Sequence, residues 1–243
     1  MDFTRHNVAS SRTRSYDKGL REYMLGVFGY MSLALLITGV VAFLTASTPE
    51  IMKLFYASRS DGSYGLSGLG YLVSFAPIIF VLVFSFGINA MSVATARITL
   101  LGYSAVLGLS FAFLFISYTG ESIAKTFFIT ASVFATMSIY GYTTKKDLTS
   151  FGSFLIMGLV GILIASLVNL FLKSSAMGFV ISLIGVLIFT GLTAYDVQRI
   201  SRIYWALPAG EQRDKAAIMG TLSLYMDFIN LFLFMLRFMG NRR

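Results

Sequence analysis

Seven apolar runs, each close to the length of one bilayer crossing, constrain this chain more than any other feature. They cover residues 26–46, 68–88, 98–118, 126–142, 154–172, 176–195 and 218–238. About 20 apolar residues in a helix cross the hydrocarbon of a membrane. Lipid offers no partner to a free backbone amide, so spanning segments must be helices or closed barrels. Barrel strands are about ten residues long and alternate apolar with polar positions, a pattern these runs lack. Charged residues make up 12% of the chain, against about a quarter in a soluble domain, so most of the surface faces lipid. The expectation is an all-α integral membrane protein of seven transmembrane helices. The first run is too long for a signal-peptide core and follows a long charged lead, so it reads as an uncleaved span. The expected organisation is an N-terminal tail over residues 1–22 and one transmembrane domain over residues 23–243.

The formal charge of +8 reads as topology and contact with anionic lipid. Nucleic-acid binding is the rival reading, and the scatter of basic residues over several short loops speaks against it. With the N-terminus cytoplasmic, that side collects Arg5, Arg12, Arg14, Lys18, Arg21, Arg97, Lys145, Lys146, Arg199, Arg202, Arg213 and Lys215. The far side collects Lys53, Arg59, Lys125, Lys173, Arg237, Arg242 and Arg243. Twelve against seven places the N-terminus inside. The C-terminal arginines then face outward against the rule, unless the seventh run fails to cross; crossing is the reading adopted.

Two acids stand within or at the end of the apolar runs. Asp227 is near the middle of the last one, and Asp196 ends the sixth. An ionisable group in hydrocarbon costs a few kcal/mol and is kept for a partner or a task. If the sixth helix continues to about Tyr204, Asp196 lies roughly 10 Å inside its end, and Asp227 roughly 13 Å inside from the same side. The two can then meet. Two adjacent carboxyls share one proton and titrate as a unit. Protonated, such a pair latches two helices; ionised, it repels, and its oxygens suit a hard cation such as Ca²⁺ in transit. Asn230 lies on the Asp227 face of its helix, and Asn169 and Gln198 are further polar candidates. The plainer alternative is that Asp196 caps a helix end and Asp227 binds an Arg or Ser within the bundle.

Enzyme readings are poorly supported. No cysteine is present, and the one histidine, His6, is in the polar lead. That removes zinc hydrolysis and a histidine base for a serine nucleophile. Gly108-Leu109-Ser110 lacks the second glycine of a nucleophile elbow. No P-loop or dinucleotide fingerprint occurs, and no lysine sits in the last span for a retinal Schiff base. An intramembrane aspartyl protease fits at Tyr195-Asp196 but not at Leu224-Tyr225-Met226 before Asp227. No catalytic residue and no cofactor is expected.

The stretches TGLTAYDVQRI at 190–200, YGYTTKKDL at 140–148, LSLYMDFINLFLFMLRFMGNRR at 222–243 and LREYMLGVFGYM at 20–31 resemble the transmembrane Bax-inhibitor-motif proteins in their bacterial form. The resemblance implies a seven-helix fold with the last helix central and the other six wrapped around it. It implies a pH-sensitive calcium leak in which Asp196 and Asp227 form the latch, Ca²⁺ being the permeant ion. Eukaryotic relatives are associated with suppression of cell death and calcium leak from the endoplasmic reticulum. Some bacterial relatives are associated instead with modulating a membrane-bound ATP-dependent protease. The implied location is the bacterial inner membrane. The family also places an arginine on the second span, paired with the acids. Residues 68–88 contain none, and the nearest arginine is Arg97, just before the third span.

Overall fold

The structure is a computed structural model that describes residues 6–58 and 64–242. Among the described residues eight α-helices follow one another: α1 (His6–Ser47), the short α2 (Pro49–Phe55), α3 (Gly68–Gly87), α4 (Val93–Ser117), α5 (Gly120–Thr143), α6 (Thr149–Leu172), α7 (Ser175–Ala206) and α8 (Glu211–Met239). All but α2 are long and apolar enough to cross a membrane. α1 runs unbroken from His6 to Ser47, through the junction of the expected tail and the first span. The side chains of Arg5, His6, Arg12 and Arg14 lie outside the described residues, as do Arg59 and Arg243. The loop at 47–67 holds α2 and an antiparallel pair, β1 (Tyr56–Ser58) with β2 (Tyr64–Leu66).

The spans start where the sequence supplies caps. The hydroxyls of Ser67, Ser92, Thr119 and Ser174 accept the amides of Gly70, Thr95, Ser122 and Met177, at 3.0–3.3 Å. Each satisfies a donor that the first helical turn leaves free. α6 ends on Lys173 in the left-handed region (φ 50°), with the Asn169 side chain accepting from Ser174 N at 3.0 Å.

α8 is the axis of the bundle. Of its apolar window 67% is buried, against 11% for α6, so α6 faces lipid and α8 faces protein. The wrapping is uneven. α1, α4, α5 and α7 pack along α8, while α6 leans chiefly on α7 and α3 on α4. Thr38 Oγ1 ties three of these helices together, 2.9 Å from the Ser104 carbonyl on α4 and 2.6 Å from the Tyr225 hydroxyl on α8. The small residues Ser104, Gly108 and Ala112 lie on α4, and Gly108 marks the seam where it meets α1: a Cβ there would stand 2.7 Å from the Thr38 carbonyl oxygen. Gly161 on α6 has nothing beside it.

α8 also crosses completely. Near its start Lys215 Nζ donates to the Asn89 carbonyl at 3.0 Å, in the turn before α4. Just past its end Arg242 bridges to Tyr118, and Thr119 N donates to Asn241 O, in the turn after α4. These turns lie at opposite ends of α4, so α8 runs the whole thickness of the bundle and its two ends lie at opposite faces.

Candidate functional site

α7 continues past the expected end of its span to Ala206 before Pro208 stops it. The extension puts Asp196 well inside the helix and level with the polar part of α8. Missing Cβ atoms let the helices approach. One on Gly220 would lie 2.8 Å from Ile200, and one on Gly185 would lie 2.6 Å from the Phe234 ring. On the other side of α7, Gly141 of α5 meets the Ala194 carbonyl.

The outcome is a buried acid pair. Asp196 is 7% exposed and Asp227 6%, and the two carboxyl groups lie within hydrogen-bond reach of one another. A carboxylate pair at that separation repels, and one shared proton turns the repulsion into a hydrogen bond. Arg199 is the cation beside them. Its Nη2 stands 3.3 Å from Asp196 Oδ1 and donates to Ser223 Oγ at 3.1 Å, and its guanidinium packs 5.7 Å from the Tyr195 ring centre. Arg199 thus links the acid-bearing face of α7 to α8, one turn before Asp227. Asp227 Oδ2 and Arg199 Nε are buried with no hydrogen-bond partner among the described residues. No group of three or more His, Cys, Asp or Glu side chains gathers among the described residues. The pair alone falls short of the six to eight oxygens of a resident Ca²⁺ site.

The other candidates sit elsewhere. Gln198 points away from the acids into the turn between α5 and α6. Its Oε1 accepts from Leu148 N at 2.9 Å and from Arg202 at 2.8 Å, and its Nε2 donates to the Lys146 carbonyl at 2.8 Å. Arg202 continues this clamp to Asp147 at 2.8 Å and to Thr149 at 2.9 Å. Bonds from the Thr149 hydroxyl and amide, and then from Arg202, hold the exposed Asp147 carboxyl down at about 2. Asn169 is the cap at the far end of α6. Asn230 donates to the Met226 carbonyl at 2.8 Å and lines a separate cavity with Pro77 and Tyr103. Arg97 stacks over Tyr30 at 5.2 Å in a small pocket with Glu22, Tyr23 and Asp214. Arg97 thus lies apart from the acids, and the cation that stands at them is Arg199, on the same helix as Asp196. The signal was in the sequence. Residues three apart share a helical face, whereas residues two apart, such as Asp196 and Gln198, do not.

A helical membrane bundle whose axial helix carries one acid of a buried pair, and whose neighbour carries the other and a cation, defines the class of this protein. The family described as "Inhibitor of apoptosis-promoting Bax1" matches residues 20–243. The chain is 47% identical over 243 residues to an uncharacterized protein of Rickettsia prowazekii, covering 100% of this chain and 99% of that one. It is 43% identical over 233 residues to inner membrane protein YbhL of Escherichia coli, covering 93% and 94%. A protein of Caulobacter vibrioides is 42% identical over 244 residues, covering 99% and 97%. The chain belongs to the Bax inhibitor family and is a multi-pass membrane protein.

Proposed function

We propose that this protein is a pH-sensitive cation leak pathway, with Ca²⁺ as the permeant ion, and that Asp196 and Asp227 are its latch. The observation that carries the reading is the pair itself: two buried carboxyls, on two different helices, close enough to share a proton. With the proton present the pair draws α7 to α8. With both groups ionised it pushes them apart and offers oxygens to a passing hard cation. The charged group packed against the pair is Arg199, and Ser223 and Tyr195 hold that cation in place. Low pH keeps the path shut and higher pH opens it. The placement that fits the loop charges and the name of the E. coli relative is a bacterial inner membrane, with the N-terminus in the cytoplasm. No covalent step is involved.

The test is Ca²⁺ entry into dye-loaded liposomes holding the purified protein, at acid and neutral pH, beside Asp227→Asn. Flux that rises with pH, and loses that dependence in the variant, supports the latch. If Asp196→Asn and Asp227→Asn together leave flux and its pH response unchanged, the latch is excluded. Absence of flux above empty liposomes, with the protein folded, shifts the reading to an interaction protein that restrains a membrane protease. Deleting residues 1–20 is then the informative variant.

A further inference from the structure

We propose that the cleft between α1 and α5 binds one anionic phospholipid, with its headgroup at Arg21, its ester region at Ser138 and an acyl chain against Phe134 and Phe228. α1 and α5 both pack on α8 but scarcely on one another. A groove is left between them, with α8 as its floor. It holds two cavities, of about 820 Å³ and about 340 Å³, which share Phe28, Ser138 and Ile139. These volumes are those of small-molecule sites. The larger cavity follows α1 from Phe28 to Leu44, about 24 Å at 1.5 Å per residue. Its floor is aromatic: the rings of Phe127 and Phe134 stand 5.5 and 5.4 Å from Phe228, edge to face. The groove opens sideways between two spans, so the medium that meets it is lipid.

Two polar features select among lipids. Arg21 lies at the narrow end with Tyr142, is exposed, and takes part in no ion pair among the described residues. A guanidinium at the membrane interface grips a phosphate through its planar fork. Ser138 supplies the second feature. On α5 the hydroxyls of Thr130, Ser132, Thr136 and Thr143 each return to the carbonyl four residues back, at 2.7–2.9 Å. Ser138 Oγ is buried and has no partner among the described residues. It faces both cavities and lies about 7 Å in from the Thr143 end of the helix. That depth is close to the thickness of the interfacial layer, roughly 5–7 Å, where ester carbonyls sit and need a donor. Asp196 and Asp227 line neither cavity, so the site stands apart from the leak reading.

Native mass spectrometry of the purified full-length protein tests this, with phosphatidylglycerol, phosphatidylcholine of the same chains, and free oleate as probes. The expected result is retention of one phosphatidylglycerol through delipidation, preferred over phosphatidylcholine about fivefold, the effect of one basic residue near an anionic headgroup. Oleate at equal concentration does not displace it. Arg21→Gln brings the two phospholipids to parity. Gly39→Phe removes the retained lipid, because Gly39 lines the groove and faces open space into which a ring can enter. Leu170→Phe, on the outer face of α6, retains it. Ala135→Trp fills the groove from the opposite wall should Gly39→Phe fail to fold. Equal retention of both phospholipids by the unaltered protein, a preference that survives Arg21→Gln, retention in a folded groove-filled variant, or displacement by oleate each overturns the assignment.

Discussion

Arg199 sets the charge of the candidate site. A pair sharing one proton carries one negative charge, and Arg199 carries one positive, so the closed arrangement is neutral. Loss of the second proton leaves a net negative site on the bundle axis. Arg199 is half-exposed and therefore partly screened, yet it favours the ionised pair over the protonated one. Arg199→Gln should shift the rise of flux to higher pH, by roughly one pH unit, the low end for a neighbouring cation. A pH profile unchanged from the unaltered protein would mean that Arg199 is only an anchor for Ser223. The position of this residue was legible in the sequence, since Asp196 and Arg199 are spaced three apart on one helix. Reading by adjacency instead selected Gln198, and reading by the family's span-two pattern selected Arg97. Both are basic or polar in the right region and face other partners.

At the scale of helices, α7 is held on two sides. Gly141 of α5 packs directly on the Ala194 carbonyl, two residues before Asp196. Backbone cannot yield as a side chain tip can, so Gly141→Ala should push α5 from α7 and cost about 1–3 kcal/mol. A drop in melting temperature in detergent would register this. The end of α7 is held by the Gln198 and Arg202 clamp on the α5–α6 turn. Gln198→Ala strips the buried Leu148 amide of its partner, a loss of about 1–3 kcal/mol. The clamp also bears on pH. The folded-state carboxyl of Asp147 is depressed to about 2, so its contribution is complete above the unfolded value near 3.9 and fades only as pH falls through about 2. It is constant from pH 5 to 8. Asp147→Asn should therefore leave the pH response of flux over that range unchanged, and a flattened response there would place the sensor in the clamp rather than at the acids. Much of this scale was readable in advance. Run length gave seven spans, and the polar continuation after Tyr195 gave the overlong α7 that brings the acids level. The hairpin at 56–66 was not readable, because three-residue strands carry too little pattern. The centrality of α8 came from family resemblance; apolar length alone is nearly alike in a lipid-facing span such as α6 and an axial one.

For the whole molecule, an odd number of crossings among the described residues and the pinning of α8 at both ends put the start of the membrane-spanning part of α1 and the end of α8 at opposite faces. The hairpin, the α4–α5 turn and the C-terminus share one face. The α3–α4, α5–α6 and α7–α8 connections share the other with the start of the membrane-spanning part of α1. Which face is cytoplasmic depends on charge. Lys18, Arg21, Lys145, Lys146, Arg213 and Lys215 gather on the second face, so that face should be inside. The absence of native cysteine makes this directly measurable. Lys53→Cys should react with a membrane-impermeant maleimide on intact cells, whereas Lys145→Cys should react only after permeabilisation. Both lysines are exposed, so accessibility is decided by the membrane rather than by packing. The opposite pattern would invert the protein, and would turn the Arg21 end of the α1–α5 groove, and the mouth nearest the acid pair, toward the outer compartment. The pH that gates the pair would then be the external one. Sidedness thus determines which compartment the proposed latch can sense, and the labelling of these two positions decides it.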